Sequence, residues 1–333
     1  MNQSETVLRL STNENCFGCS PLVLEAILNK YKDVYLYPEV NPIALKEKLA
    51  KKYSVNPDNI VVGAGSVRII DGLIQTFVGR EQEVLTFEKS FIAYGQLSIV
   101  NNRKCSFAPL TEFRCVPENL IPFINFNTSL IFIANPNNPT GTLITHSELE
   151  NFMEKIPSDI IVAVDEAYAE YVTDASFPDT LALQKKYPNI IIIHSFSKIY
   201  GLAGMRIGYA IMEEKFAVRM NKGQIPFSLN YLAADAAIAA MDDENFIQKS
   251  SKENALQREY LFEELSKNYT TVATQANFVY LQFDSETEKH QVYGKLFAQG
   301  ILICDMKIYG QEKSLRITVG DAEACKRIVA CLT

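Results

Sequence analysis

Five short apolar runs constrain this 333-residue chain more than any other feature: IVV at 60 to 62, EVLTF at 83 to 87, SLIFIA at 129 to 134, DIIVAV at 159 to 164 and NIIII at 189 to 193. Each is rich in β-branched residues and continuous rather than alternating. That pattern belongs to strands covered on both faces, as in a parallel sheet. Between them lie helical patterns over Ser66 to Phe77, Phe91 to Val100 and Ser147 to Lys155, the last opened by Thr145 or Ser147 as a cap. A βα alternation of this kind predicts a large doubly wound α/β domain.

Past Pro226 the texture changes. Helices are expected from Asn230 to Met241, Glu244 to Ser266 and Glu286 to Gln299, with ANFVYLQF, ILIC and SLRITV as strands of a smaller α+β unit. The expected division is 36–240 for the large domain and 1–35 with 241–333 for the small one. No Gly/Ser linker and no internal repeat marks the joint.

Composition narrows the function class. With 47% hydrophobic residues the chain can bury a sizeable core, and its net charge of −7, spread through the sequence, disfavours nucleic acid as a partner. The opening MNQSETVLRLSTNEN lacks an apolar leader core, and no run nears the ~20 apolar residues of a membrane helix, so a cytoplasmic location is expected. Seven cysteines include the CxxC of Cys16 and Cys19, but no second pair or nearby histidine completes a metal site. Free thiols and no metal are expected.

Three strand ends carry polar motifs: NPNNPTG follows SLIFIA, DEAYAEY follows DIIVAV, and SFSKIYGLAGMRIGY follows NIIIIH. In an open α/β sheet the carboxyl ends of strands are where ligands bind. Pyridoxal phosphate would use every group these motifs supply. A lysine can form a Schiff base with its aldehyde, a carboxylate can hold the ring nitrogen protonated, and an amide and a phenol can tune the ring hydroxyl. Serines, an arginine and a helix start suit the phosphate.

These motifs, together with SLRITVG, resemble those of the class I/II aminotransferases, PLP-dependent transferases of fold type I. The closest resemblance is to the histidinol-phosphate aminotransferase family, from about Leu10 to the carboxyl terminus. The resemblance implies that Lys198 is the Schiff-base lysine and proton carrier, that Asp165 pairs with the pyridine nitrogen, and that Asn138 and Tyr168 contact the ring hydroxyl. It gives the phosphate to Ser195, Ser197 and Arg206, helped by amides near Gly65 and Ser66, and the ring face to Phe91. It makes Tyr37 a tyrosine that reaches the neighbouring subunit's phosphate, hence a homodimer with shared sites. It assigns the substrate carboxylate to Arg316 and puts Asn15 in the substrate pocket.

The implied reaction exchanges an amino group between an amino acid or amino-alcohol phosphate and a 2-oxo acid, with glutamate and 2-oxoglutarate as the co-substrate pair. Histidinol phosphate leads as substrate. The alternatives are an aromatic or other specialised-pathway amino acid, or a decarboxylation like that of threonine-phosphate decarboxylase. Two departures bear on this choice: Cys304 stands where the family's GI-x-x-R stretch has arginine, and GSVR replaces GSDE. Arg68 then either adds charge near the cofactor phosphate or points outward. Outside the family, VVGAGSVR is a poor dinucleotide fingerprint, since Arg68 replaces the third glycine. A PLP-binding regulator without catalysis has no appended DNA-binding domain to support it.

Overall fold

The computed structural model describes residues 7 to 332. The opening MNQSET, part of the stretch read as lacking a leader core, lies outside the described residues. In chain order the strands are β1 (Leu8–Leu10), β2 (Ile60–Gly63), β3 (Glu83–Phe87), β4 (Lys104–Ala108), β5 (Thr128–Ala134), β6 (Ile161–Asp165), β7 (Ile190–Ser195), β8 (Gly208–Ile211), β9 (Thr270–Val272), β10 (Phe278–Gln282), β11 (Ile301–Asp305) and β12 (Ser314–Thr318).

Seven of them form one sheet in the order β2-β8-β7-β6-β5-β3-β4. The pairs from β4 through β7 are parallel, while β8 runs antiparallel to both β7 and β2. This is a mostly parallel α/β sheet, as the alternation of apolar runs and helices predicts. The five runs read from the sequence are all strands here, but β4 and β8 were not among them. KCSFA of β4 is an edge strand left partly open, and GYAI of β8 is only four residues and begins with glycine. Neither carries the long apolar run by which buried strands are recognised.

Helix Ser66–Phe77 buries Ile69, Ile70, Leu73, Ile74 and Phe77 at spacings of one, three and four residues. That stripe packs on one face of the sheet, each such side chain contributing roughly 1.5–3 kcal/mol. Helix His146–Met153 starts at Thr145, whose hydroxyl accepts from the Glu148 amide while the Glu148 carboxylate accepts from the Thr145 amide. Thr145, not Ser147, is therefore the cap.

The second sheet, in the order β1-β11-β12-β10-β9, draws its first strand from the amino-terminal segment, with Leu8 to Leu10 parallel to Ile301 to Ile303. Its remaining pairs are antiparallel. Although ANFVYLQF reads as alternating, Phe278 to Leu281 are all buried, because β10 is central and packed on both faces. Helix Glu244–Leu265 runs 22 residues alongside this sheet, close to its expected span. No described helix is long and apolar enough to cross a membrane.

Candidate active site

The carboxyl ends of β5, β6 and β7 lie side by side, and a cavity of about 270 Å³ opens above them. Asp165 ends β6, 5% exposed, and accepts hydrogen bonds from the Tyr94 hydroxyl at 2.9 Å and the Ala167 amide at 3.2 Å. Burial pushes its carboxyl up to about 6, against the lowering effect of those two bonds and of Lys198. Tyr94 is itself fully buried and stacked on Phe132 at 4.7 Å, so the acceptor and its donor are both rigid.

Lys198 follows β7 and points into the same space, donating to the Thr12 carbonyl at 3.0 Å and lying 5.6 Å from the Tyr168 ring centre. Desolvation in the cavity and the nearby Arg316 guanidinium lower its amine to about 8. An amine so depressed is neutral often enough near pH 8 to act as nucleophile and base.

At the other end of the cavity, helix Ser66–Phe77 begins without a side-chain cap. Its first-turn amides and the positive end of its dipole form an anion site. Gly65 caps it at φ +82°, and a Cβ there would stand 2.6 Å from an Arg206 guanidinium nitrogen. The positive φ strains any residue with a Cβ, which favours glycine at this position. Arg206 also donates to the Ser197 hydroxyl at 3.4 Å and the Ala203 carbonyl at 2.9 Å, and the Ser195 hydroxyl accepts from the Ser197 amide at 3.1 Å. Backbone amides, two serines and a guanidinium thus converge where a phosphate would fit.

The opposite wall comes from the other sheet. Arg316 of β12, 4% exposed, donates to the Asn138 side-chain oxygen at 2.6 Å and the Ser11 carbonyl at 2.8 Å, and its Nε is buried with no partner among the described residues. A buried guanidinium whose bonds go to neutral acceptors leaves its charge for a ligand to neutralise.

The class I and II aminotransferase family model matches residues 5–332. A histidinol-phosphate aminotransferase of Anaeromyxobacter sp. (strain Fw109-5) is 38% identical over 98% of this chain and 90% of its own. The chain belongs to the class I and II aminotransferases. Among solved structures, the histidinol-phosphate aminotransferase of Clostridium acetobutylicum superposes with a TM-score of 0.88 at 26% identity, covering 98% of each chain. That of Sinorhizobium meliloti, solved with pyridoxal-5'-phosphate, gives 0.90 at 24% identity over 98% of this chain and 89% of its own.

Of the residues expected in this aminotransferase's site, Ser66, Phe91, Asn138, Asp165, Tyr168, Ser195, Ser197, Lys198, Arg206 and Arg316 all line the one cavity. Asn138 is turned so that its oxygen holds Arg316, and the Tyr168 hydroxyl accepts from the Asn13 side chain at 3.0 Å. Tyr37 lies away from the cavity, 79% exposed, with its ring 4.7 Å from that of Phe227.

One expectation needs correction. Asn15 does not face the substrate space: its amide donates to the Ile199 carbonyl at 2.8 Å and the Ser250 hydroxyl at 3.2 Å, and its oxygen accepts from the Phe17 amide. It ties the amino-terminal segment to the loop after Lys198, and Thr12, Asn13 and Glu14 line the cavity instead. Arg68 does not line the cavity: its guanidinium pairs with Asp71 one turn along its own helix, and its side chain is largely covered there rather than directed into solvent. Cys304 pairs with Arg316 across β11 and β12 and sits in an apolar cluster with Val272, Tyr280 and Met306, against which Phe113 and Tyr309 pack.

Tyr94 and Tyr309 escaped the sequence reading. Tyr94 is three residues after Phe91, which precedes the helix Ala93–Val100, and the two rings meet edge to face at 5.6 Å, a spacing that could have drawn attention to it. Nothing in KIYG marked Tyr309 as a cavity residue.

Proposed function

We propose that this protein is a PLP-dependent aminotransferase that moves an amino group between histidinol phosphate, or a related amino-alcohol phosphate or amino acid, and a 2-oxo acid. Histidinol-phosphate aminotransferase-like transamination is the activity of its family relatives, and the cofactor is pyridoxal phosphate. The observation that carries the reading is the pairing of Lys198 and Asp165 in one cavity with two separate anion sites, around Arg206 and Arg316.

The residues fit the cofactor by their own chemistry. Asp165 would hold the pyridine nitrogen, Phe91 the ring face, Asn138 and Tyr168 the ring hydroxyl. Ser195, Ser197, Arg206 and the first-turn amides at Ser66 would hold the phosphate, with Gly65 admitting the close approach. When bound, pyridoxal phosphate supplies an electron sink that stabilises negative charge at the substrate Cα. Lys198 carries the reactive amine and moves the proton at Cα. Arg316 clamps the acidic group of the substrate, the α-carboxylate of an amino acid or the phosphate of an amino-alcohol phosphate, which leaves the bond from Cα to hydrogen in the orientation that breaks.

Exposed apolar side chains support a homodimer. Leu24, Leu28, Val34, Tyr35, Leu36, Tyr37, Ile225 and Phe227 are all exposed, the Tyr37 and Phe227 rings lie 4.7 Å apart, and a second copy would cover such side chains. In that dimer Tyr37 would reach the phosphate site of the partner. We also take residues 36–240 as the large domain and 1–35 with 241–333 as the small one.

Titrating the loaded enzyme separately with histidinol phosphate, glutamate and phenylalanine, while following the visible spectrum, tests the reaction. Conversion of the spectrum by a donor, reversed by 2-oxoglutarate, is expected. Release of carbon dioxide without reversal would replace transamination by decarboxylation.

A further inference from the structure

One group in the cavity has no task in the reaction just described. Glu14 lines the wall, and its Oε2 is buried with no hydrogen-bond partner among the described residues. A carboxylate oxygen taken out of water without a donor is costly and calls for an explanation.

The segment that carries it is pinned on both sides. The Asn13 amide donates to the Thr318 hydroxyl at 3.0 Å, the Asn15 side chain to the Ile199 carbonyl at 2.8 Å, and the Asn277 side chain to the Glu14 carbonyl at 3.4 Å. Glu14 is therefore held at the cavity by its neighbours.

The other charges there are already committed. Asp165 is bonded by Tyr94 and Ala167, Arg206 belongs to the cofactor-phosphate end, and Arg316 is bonded to Asn138 and Ser11 with its charge left for the anionic group of the substrate. No cation remains in the cavity wall for Glu14 beyond the field of Lys198, which feels its charge.

The order along the wall matters as well. Ser11 touches Arg316, Thr12 touches Lys198, and Asn13 touches Tyr168. A donor with its carboxylate or phosphate on Arg316 and its nitrogen at Lys198 lies along this same segment, and Glu14 is the charged group the segment still offers.

We propose that Glu14 sets donor specificity by accepting a hydrogen bond from an N–H of the substrate side chain, so that the site favours donors with an imidazole, amine or guanidine group. The proposal rests on the aminotransferase reading, since it takes the carboxylate and amine positions from it.

The test uses two matched pairs that differ in a ring N–H: histidinol phosphate against phenylalaninol phosphate, and histidine against phenylalanine. Dissociation constants are measured by calorimetry on the PLP-loaded wild type, Glu14→Gln and Glu14→Ala, alongside kcat/KM. Wild type should prefer the imidazole member, and Glu14→Ala should reduce that preference by about tenfold to a hundredfold, with Glu14→Gln between them. An equal loss for both members of each pair would make Glu14 a counter-ion of Lys198 or a structural residue and overturn the proposal. So would no change in the ratio, or a wild type that binds no imidazole-bearing ligand. Failure of the aminotransferase reading looks different: no donor would convert a 2-oxo acid, while the ratio of dissociation constants would still report on Glu14.

Discussion

The floor and the wall of the cavity are built on opposite plans. On the floor, at the ends of β6 and β7, the polar groups are partnered within the protein: Asp165 by Tyr94 and Ala167, Ser195 by the Ser197 amide, Arg206 by Ser197 and Ala203. On the wall, fed by β12 and residues 11 to 14, charged groups stay open: the Arg316 Nε and the Glu14 Oε2 have no partner among the described residues. A rigid, satisfied floor suits a group that stays in place through every turnover, because its electrostatics are set before binding. An unsatisfied wall suits molecules that come and go, since each arriving substrate supplies the missing partner.

Substitutions on the floor should therefore strike the chemistry, and those on the wall the choice and binding of substrate. Lys198→Ala should lower turnover by at least about ten-thousandfold while far-UV circular dichroism stays native; turnover at the wild-type rate would remove Lys198 from the reaction. Asp165→Asn should slow single-turnover deprotonation at Cα by about a hundredfold to a thousandfold and weaken cofactor binding. An unchanged single-turnover rate would count against Asp165 as the partner of the ring nitrogen.

On the wall, Arg316→Lys keeps the charge but loses the planar fork. KM for donor and acceptor should rise about tenfold to a hundredfold with a smaller loss in kcat, measured with both half-reactions. Equal KM values would place the carboxylate elsewhere.

Tyr94→Phe is the subtler floor change, worth about a tenfold loss in kcat/KM. Its sign in pH is fixed. The Tyr94 hydrogen bond lowers the Asp165 carboxyl against burial, which has already raised it to about 6. Without that bond the pKa rises, so the charge on Asp165 is lost at higher pH and the acidic limb of the rate profile should move up. A limb that stays put would separate Tyr94 from Asp165.

The contrast also explains what the sequence could reveal. The floor was legible because βα alternation puts strand ends together, and motifs such as SFSK and DEAY follow directly on buried runs like NIIII and DIIVAV. The wall was harder, since it joins residues some 300 positions apart, such as Asn13 and Thr318, through pairings that no local pattern announces. Asn15 was misjudged for the same reason: its motif was visible, but which of three successive side chains turns inward depends on distant acceptors, the Ile199 carbonyl and Ser250. β8 was missed because a short strand starting at glycine gains its stability from two flanking strands rather than from its own apolar length.

The division of labour itself is best tested by titrating pyridoxal phosphate into cofactor-free wild type, Asp165→Asn and Arg316→Lys, then measuring donor KM on the loaded proteins. The account predicts weaker cofactor binding in Asp165→Asn, cofactor affinity within about twofold of wild type in Arg316→Lys, and a raised donor KM chiefly in the latter. Cofactor affinity falling as far in Arg316→Lys as in Asp165→Asn would contradict it, because floor and wall would then act as one site.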